Sequence, residues 1–164
     1  MASSRYELLV ICVLSFFFAL SHSKTLKGDG KAIILEEMEI SHLGLVSQGD
    51  YRVVTELEVY AVSIVGPFPI AVTNLLDLTR LDIHNNKLTG QLPSQIGRLK
   101  RLNLRWNKLQ DVIPPEVGEL KRLTHLYLDH NQFTGRIPDA FYKHPFLKEV
   151  YAEDNMFKQG VNPI

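Results

Sequence analysis

Residues Leu78–Asn86 read Leu-Thr-Arg-Leu-Asp-Ile-His-Asn-Asn, with apolar residues at the first, fourth and sixth places and an asparagine at the ninth. The same layout returns at Leu99–Asn107, at Leu123–Asn131 and, in a weaker form, at Leu147–Asn155. The final asparagines fall at positions 86, 107, 131 and 155, so the periods are 21, 24 and 24 residues. A period of this length predicts a solenoid, in which each repeat forms one coil and stacks on its neighbours.

The spacing within one repeat predicts a short strand followed by a turn. Leu81 and Ile83 point inward because side chains alternate along a strand. Corresponding strands of neighbouring coils then form a parallel sheet on the concave face. The asparagine turns inward after the strand, where its amide bonds backbone groups of its own coil and the next, as buried backbone requires. We expect these asparagines to form a structural ladder: Asn86, Asn107, Asn131 and Asn155.

The predicted fold class is an α/β solenoid of leucine-rich repeats, with about four to five repeats. Short parallel strands line its concave face, and 3-10 or irregular segments form its convex face. The first repeat is atypical because Val62 replaces the asparagine, and the last is weakened because Ala152 replaces a large aliphatic residue. The predicted boundaries are residues 51–157 for the repeats and residues 158–164 for a C-terminal tail.

Residues 1–23 have the pattern of a secretory signal peptide. A single basic residue precedes an almost unbroken apolar run from Leu8 to Leu20, and small residues follow it at positions suited to cleavage after Ser23. The run is too short to span a bilayer comfortably, which needs about 20 apolar residues. We therefore expect a secreted, extracellular protein with no membrane insertion after signal removal. An uncleaved segment that anchors the chain in the membrane is the alternative.

Residues 24–50 depart from the repeat and occupy the place where a solenoid needs a cap over its first coil. Good helix formers predict a short helix over Ala32–Glu39. Gly44 and the run Gln48–Asp50 predict breaks in the chain after that helix. We therefore expect a divergent N-terminal cap segment before the repeats.

The composition argues against several functional classes. The 18 lysines and arginines balance 18 aspartates and glutamates, so net charge gives no reason to expect a nucleic-acid partner. The only cysteine, Cys12, lies in the predicted signal peptide, so the mature chain is expected to contain no disulfide or thiolate metal site. The sequence has no Asn-x-Ser/Thr triplet, and N-glycosylation is not expected.

The full unit, Leu-x-x-Leu-x-Leu-x-x-Asn-x-Leu-x-Gly-x-Ile/Leu-Pro-x-x-Ile-Gly, resembles the plant extracellular subfamily of leucine-rich repeats. Leu88–Pro93 and Phe133–Pro138 carry the resemblance, which covers roughly residues 52–157. Members of this family include receptor-kinase ectodomains, polygalacturonase-inhibitor-like proteins and small secreted binding proteins. The resemblance implies a surface that binds proteins, peptides or cell-wall glycans.

Two departures from the family pattern stand out. Such proteins usually carry a cysteine pair around a tryptophan-containing segment in the N-terminal cap, and no residues here match it. The interval from Asn86 to Asn107 is also short by three residues, which are missing between Gly97 and Leu102. The resemblance is therefore to a shortened member of the family without the cysteine-containing cap.

The outward positions of the strands form the candidate binding surface. Trp106, Tyr127 and Tyr151 are of types enriched at binding hot spots. Basic residues gather in the early coils and acidic residues in the late ones, which predicts a bipolar strip. The predicted partner-binding residues on the concave face are Asp82, His84, Asn103, Arg105, Trp106, Tyr127, Asp129, His130, Tyr151 and Glu153.

The leading functional hypothesis is a secreted, non-enzymatic module that binds a protein or peptide, such as a receptor ectodomain or a cell-wall component. The alternative is a truncated receptor-like ectodomain that acts as a decoy, co-receptor or structural pairing partner, which an exposed coil edge after Asn155 would favour. A solvated face without a specific ligand also stays open. We predict no cofactor, metal site or catalytic residue, because His125, Asp129 and His130 lie on a shallow, open face.

Overall fold

The computed structural model describes residues 42–48, 51–96 and 98–158. The strands are, in chain order, β1 (His42–Gln48), β2 (Tyr51–Glu58), β3 (Val65–Pro67), β4 (Arg80–Asp82), β5 (Lys87–Gly90), β6 (Arg101–Asn103), β7 (Lys108–Val112), β8 (His125–Tyr127), β9 (Gln132–Gly135), β10 (Glu149–Tyr151) and β11 (Met156–Phe157). Two 3-10 helices, η1 (Ile70–Asn74) and η2 (Pro115–Glu119), and one α-helix, α1 (Asp139–Tyr142), connect them. The predicted signal peptide and the predicted helix over Ala32–Glu39 lie outside the described residues. No helix in the described ranges is long and apolar enough to cross a membrane.

The first sheet contains one strand from each of five coils. Its order is β1-β2-β4-β6-β8-β10, and the strands from β2 to β10 pair in parallel. Coils one to five are named here by the strands β2, β4, β6, β8 and β10. The register places Leu57, Leu81, Leu102 and Leu126 side by side, and each is at most 1% exposed. The predicted leucine-rich repeat solenoid is confirmed.

A second parallel sheet, which the sequence analysis did not predict, has the order β11-β9-β7-β5-β3. Its strands from β5 onward begin at the residue after each ladder asparagine. In β5 the Leu88 side chain is buried and that of Lys87 is exposed, so this strand also alternates. Gly90 ends β5 with a φ of +77°, and Asp111 takes the equivalent place in coil three with a φ of +66°.

The four asparagines form a hydrogen-bonded ladder. The Nδ2 of Asn131 donates to the carbonyls of Leu104 at 2.9 Å and Leu128 at 3.1 Å, and its Oδ1 accepts from the Leu109 amide at 3.1 Å. The same pattern holds at the other three asparagines: Asn86, Asn107 and Asn155. Each asparagine therefore bonds backbone groups of its own coil and of the preceding coil. The sequence analysis predicted bonds to the next coil instead, and this part of the prediction is wrong. The direction depends on how the coils are offset, which the spacing of the repeats does not specify.

Strand β1 extends the first sheet beyond coil one by pairing antiparallel with β2. The break predicted at Gly44 is not found, because the strand continues through this residue with a register shift between Gly44 and Leu45. A Cβ atom at position 44 would lie 2.7 Å from the Glu56 Cβ. Glycine therefore permits a close approach of the two strands instead of ending one. The boundaries of the cap segment stay a prediction.

The shortened interval changes the convex side of coil two. Coils one, three and four return through η1, η2 and α1, whereas residues 91–96 and 98–100 contain no helical turn. A 3-10 turn holds three residues, which matches the number missing. Leu92, Ile96 and Leu99 are still buried, so the shorter coil keeps its contribution to the core.

Candidate functional site on the concave face

The ten predicted partner-binding residues all lie in coils two to five, on strands of the first sheet or just after them. They differ in accessibility. The side chains of Asp82 and Asp129 are buried, whereas Trp106 is 54% exposed and Tyr151 is also exposed. The structure therefore separates residues that support the face from residues that are available to a partner.

A polar cluster joins coils one, two and three. The Nδ1 of His84 lies 2.5 Å from the Oδ1 of Asp82, and the Asn103 amide donates to Asp82 Oδ2 at 3.0 Å. The ring of Tyr60 stacks on His84 with centroids 4.5 Å apart. Sequence analysis missed Tyr60, although it stands two residues before Val62 as His84 stands two residues before Asn86. The buried carboxylate of Asp82 thus holds neighbouring coils together.

An ion pair between Arg105 and Asp129 joins coils three and four. The Arg105 Nε lies 3.2 Å from both Asp129 oxygens, and its Nη2 donates to Oδ1 at 3.1 Å. The guanidinium also lies over the rings of Tyr127 and Tyr151, at 5.2 and 5.7 Å from their centroids. A cation at this distance from an aromatic face is attracted by the ring quadrupole. Arg105 therefore fixes two tyrosines relative to a buried carboxylate.

The indole of Trp106 rests on a constrained histidine. The rings of Trp106 and His130 stack with centroids 3.7 Å apart. The Nδ1 of His130 lies 3.0 Å from Asp129 Oδ2, and its Nε2 lies 2.9 Å from Asp154 Oδ2. Contacts at both nitrogens fix the orientation of the imidazole. His130 is therefore a rigid support beneath an exposed aromatic ring.

The two tyrosines of coils four and five stack with centroids 5.4 Å apart. The Tyr127 hydroxyl donates a 2.5 Å hydrogen bond to Glu149 Oε2. This bond is the largest cause that raises the pKa of Tyr127 above 10.0, followed by burial and the negative charge of Glu149, while Arg101 acts in the opposite direction. Glu149 was not among the predicted site residues, although it occupies an outward strand position. Tyr127 is therefore anchored at both its ring and its hydroxyl.

We call Trp106, Tyr127, His130 and Tyr151 the aromatic patch. Trp106 has a φ of +57°, in the left-handed region. Asn85, His130 and Asp154 hold the equivalent position in the other coils, with φ from +52° to +56°. Asparagine, aspartate and histidine are enriched in this region, whereas a bulky residue there is an outlier. Since Trp106 is exposed, burial in the core does not compensate for this strain, and such strain concentrates at functional sites.

Ion pairing changes the bipolar strip expected from the sequence. The Arg80 Nε donates to Glu58 Oε1 at 2.9 Å, and Arg105 is paired with Asp129. Two of the early basic residues are thus neutralised by neighbouring carboxylates. On the concave face, the exposed carboxylates that remain are concentrated in coil five: Glu149, Glu153 and Asp154. The charge asymmetry of the face lies mainly at this acidic end.

Several histidines of this face lie beside carboxylates. Although His130 contacts two carboxylates, no three His, Cys, Asp or Glu side chains in the described part of the chain are arranged to hold a metal ion. All buried side-chain nitrogen and oxygen atoms there have hydrogen-bond partners. The polar groups of this face are therefore engaged with one another.

Comparisons with known proteins agree with this geometry. A family model described as Leucine rich repeat matches residues 77–133. A chain of the BIR3–SERK2 complex from Arabidopsis thaliana is 21% identical with a TM-score of 0.75, and the match covers 94% of this chain and 86% of that one. The ectodomain of the Arabidopsis thaliana receptor kinase GASSHO1/SCHENGEN3, solved with CASPARIAN STRIP INTEGRITY FACTOR 2, is 28% identical with a TM-score of 0.59, over 63% of this chain. The plant peptide hormone receptor RGFR1, solved with RGF2, is 29% identical with a TM-score of 0.60, also over 63% of this chain.

The matches to the two longer receptors cover only 13% and 17% of their chains. No curated protein sequence matches the chain significantly. The stacked coils and the asparagine ladder nevertheless define a leucine-rich repeat solenoid. The chain therefore has a leucine-rich repeat fold, and it is similar to the leucine-rich repeat ectodomain of a plant receptor kinase.

Proposed function

We propose that the protein is secreted and acts as a non-enzymatic recognition module that binds a protein or peptide partner through its concave face. The observation that carries this proposal is the aromatic patch. Trp106 and Tyr151 expose their rings on a sheet whose core is built by other residues. Exposed tryptophan and tyrosine supply large contact areas at low conformational cost, which is why they dominate binding hot spots.

The neighbours of the patch reduce the entropy that binding would cost. His130 supports Trp106, Arg105 lies over both tyrosines, and Glu149 holds the Tyr127 hydroxyl. Side chains that are already fixed lose little rotamer freedom when a partner binds. This preorganisation favours a binding surface over a merely solvated strand face.

Two similar plant receptors were solved with bound partners, GASSHO1/SCHENGEN3 with CASPARIAN STRIP INTEGRITY FACTOR 2 and RGFR1 with RGF2. The proposal extends partner binding from those receptors to the concave face of this shorter chain. Secretion rests on the signal-peptide pattern of residues 1–23. An aromatic patch and an extracellular destination together suit recognition at the cell surface.

Affinity capture from extracellular fluid, with quantitative mass spectrometry, tests the proposal. The full-length protein is compared with Trp106→Ala, Tyr127→Ala and Leu76→Ala. Leu76 is 74% exposed in the return segment of coil one, so it is a matched apolar control away from the patch. The Leu76 variant should retain a partner. Trp106→Ala should weaken the affinity for that partner by about 30-fold, as for a hot spot worth about 2 kcal/mol. Full binding by both patch variants would refute the proposal.

A further inference from the structure

We infer that the partner presents an extended, positively charged segment to the aromatic patch. An apolar side chain of this segment lies on Trp106, and a lysine or arginine side chain reaches the carboxylates of coil five. The inference rests on the proposed function, because it names the chemistry of the partner that the same face binds.

The charge of the concave face favours a cationic partner. Around the patch, Asp129 is balanced by Arg105, but Glu149, Glu153 and Asp154 are exposed without an arginine or lysine in contact among the described residues. Histidines approach two of these carboxylates, since His125 lies 3.8 Å from Glu149 and His130 lies 2.9 Å from Asp154. Arg101 lies on the same face, but in coil three.

A partner that covers coil five must remove water from these carboxylates. A neutral or acidic partner leaves their charge uncompensated, which opposes binding, whereas a cation offsets the lost hydration and also speeds encounter. Glu149 and Asp154 are already oriented by Tyr127 and His130. The acidic end therefore favours a cationic side chain.

The exposed indole favours an apolar group in the partner. Trp106 keeps more than half of its surface accessible, and its backbone is held in a conformation that bulky residues rarely adopt. Covering this ring with an apolar side chain removes apolar area from water. The partner therefore needs an apolar group beside its cation.

The distance between coils determines how far apart the apolar and basic residues of the partner should lie. Trp106, His130 and Asp154 hold the same position in coils three, four and five. Neighbouring strands lie about 4.8 Å apart, so about 10 Å separate the first and last of these positions. An extended chain advances about 3.3 Å per residue and repeats its facing every second residue. The apolar and basic residues should therefore be two or four positions apart, since a flexible lysine stem covers the difference.

Selection from a phage-displayed library of random heptapeptides tests the inference. The full-length protein is compared with Trp106→Ala, with the double variant Glu153→Gln/Asp154→Asn, and with Glu119→Gln as a matched charge control on η2. Asparagine tolerates the left-handed backbone of position 154, so the double variant should remain folded, and thermal unfolding checks this. We expect enriched peptides that require Trp106 and carry lysine or arginine two or four positions from an apolar residue. Synthetic copies should bind the double variant about fivefold more weakly and bind the Glu119 variant normally.

The outcomes separate the inference from the proposed function. Peptides that require Trp106 but lack basic residues, or bind the double variant with full affinity, would overturn the inference and leave the proposed function standing. If no enriched peptide requires Trp106, both fail. Binding of polygalacturonate, a polyanion, that requires Trp106 and strengthens in the double variant would also overturn the inference, because it would assign the face to an acidic glycan.

Discussion

The indole ring of Trp106 lies nearly flat on the imidazole of His130, with centroids 3.7 Å apart and an angle of 20° between the planes. The imidazole contacts Asp129 on one side and Asp154 on the other. These contacts connect an exposed ring in coil three with carboxylates in coils four and five. The mobility of Trp106 should therefore depend on the residue at position 130.

Replacing His130 tests this support directly. Trp106 is the only tryptophan, so the fluorescence anisotropy decay of the protein reports on this side chain alone. His130→Ala removes the stacked ring and should increase the amplitude of fast indole motion. His130→Phe keeps an aromatic surface but loses the contacts at both nitrogens, so it should increase the amplitude less than the alanine variant does. Equal decays for the alanine variant and the native protein would show that the stacking does not restrain Trp106.

The asparagines of the ladder should contribute unequally to the free energy of unfolding. Asn131 is buried and Asn155 is partly exposed, although both make the same kind of backbone hydrogen bonds. Asn131→Ala should lower the free energy of unfolding by about 1–3 kcal/mol, because buried backbone groups lose their partner. Asn155→Ala should cost less, since water reaches the freed groups. Urea denaturation measures both values, and an equal cost would contradict this account.

Asp111 stands where coils two and four have glycine, in a left-handed conformation. Asp111→Gly should raise the free energy of unfolding by about 0.5–1 kcal/mol, because glycine adopts this conformation without steric cost. The exposed hydrogen bond from Gln91 to Asp111 is lost, but such bonds contribute little in water. Gln110→Gly in the same strand is the control and should be destabilising. Destabilisation by both glycine variants would mean that Asp111 has a favourable role that its backbone does not reveal.

The hydrogen bond between Tyr127 and Glu149 should be visible in a phenol titration. Because Glu149 raises the pKa of Tyr127 above its ordinary value, Glu149→Gln should lower that pKa. A group with a raised pKa stabilises the fold below its ordinary pKa and loses this contribution as pH rises through the raised value. The native protein should thus lose the stabilisation due to Tyr127 on the alkaline side of pH 10. Ultraviolet difference titration against Tyr127→Phe measures the change, and an unaltered pKa in the glutamine variant would contradict the assignment.

The repeat spacing was sufficient to predict the coils, the inward leucines and the parallel concave sheet. The reason is that the spacing of apolar residues determines which side chains can be buried. Leu81 and Leu102 occupy matched places in the sequence and in the sheet. Two features were missed. The strands of the second sheet lie just after each asparagine, in the part of the repeat that was expected to be 3-10 or irregular, and β1 is an antiparallel strand that no repeat signals.

The sequence predicted which residues face outward at the candidate site, but not which of them contact one another. Columns of outward residues identified Trp106 and Tyr127, since solenoid geometry brings equivalent positions together. They could not show that Asp129 is buried under Arg105, because the choice of side-chain partners depends on rotamers and on the offset between coils. For the same reason the hydrogen bond between Tyr127 and Glu149 could not be predicted from the sequence.

If partners bind over the aromatic patch, they should cover the indole of Trp106, the single tryptophan. The most informative measurement is therefore the emission of Trp106 during titration with a partner that contains no tryptophan. The emission should shift and saturate with the same dissociation constant that calorimetry gives for the native protein. Binding that calorimetry detects while the emission of Trp106 stays unchanged would mean that partners bind elsewhere.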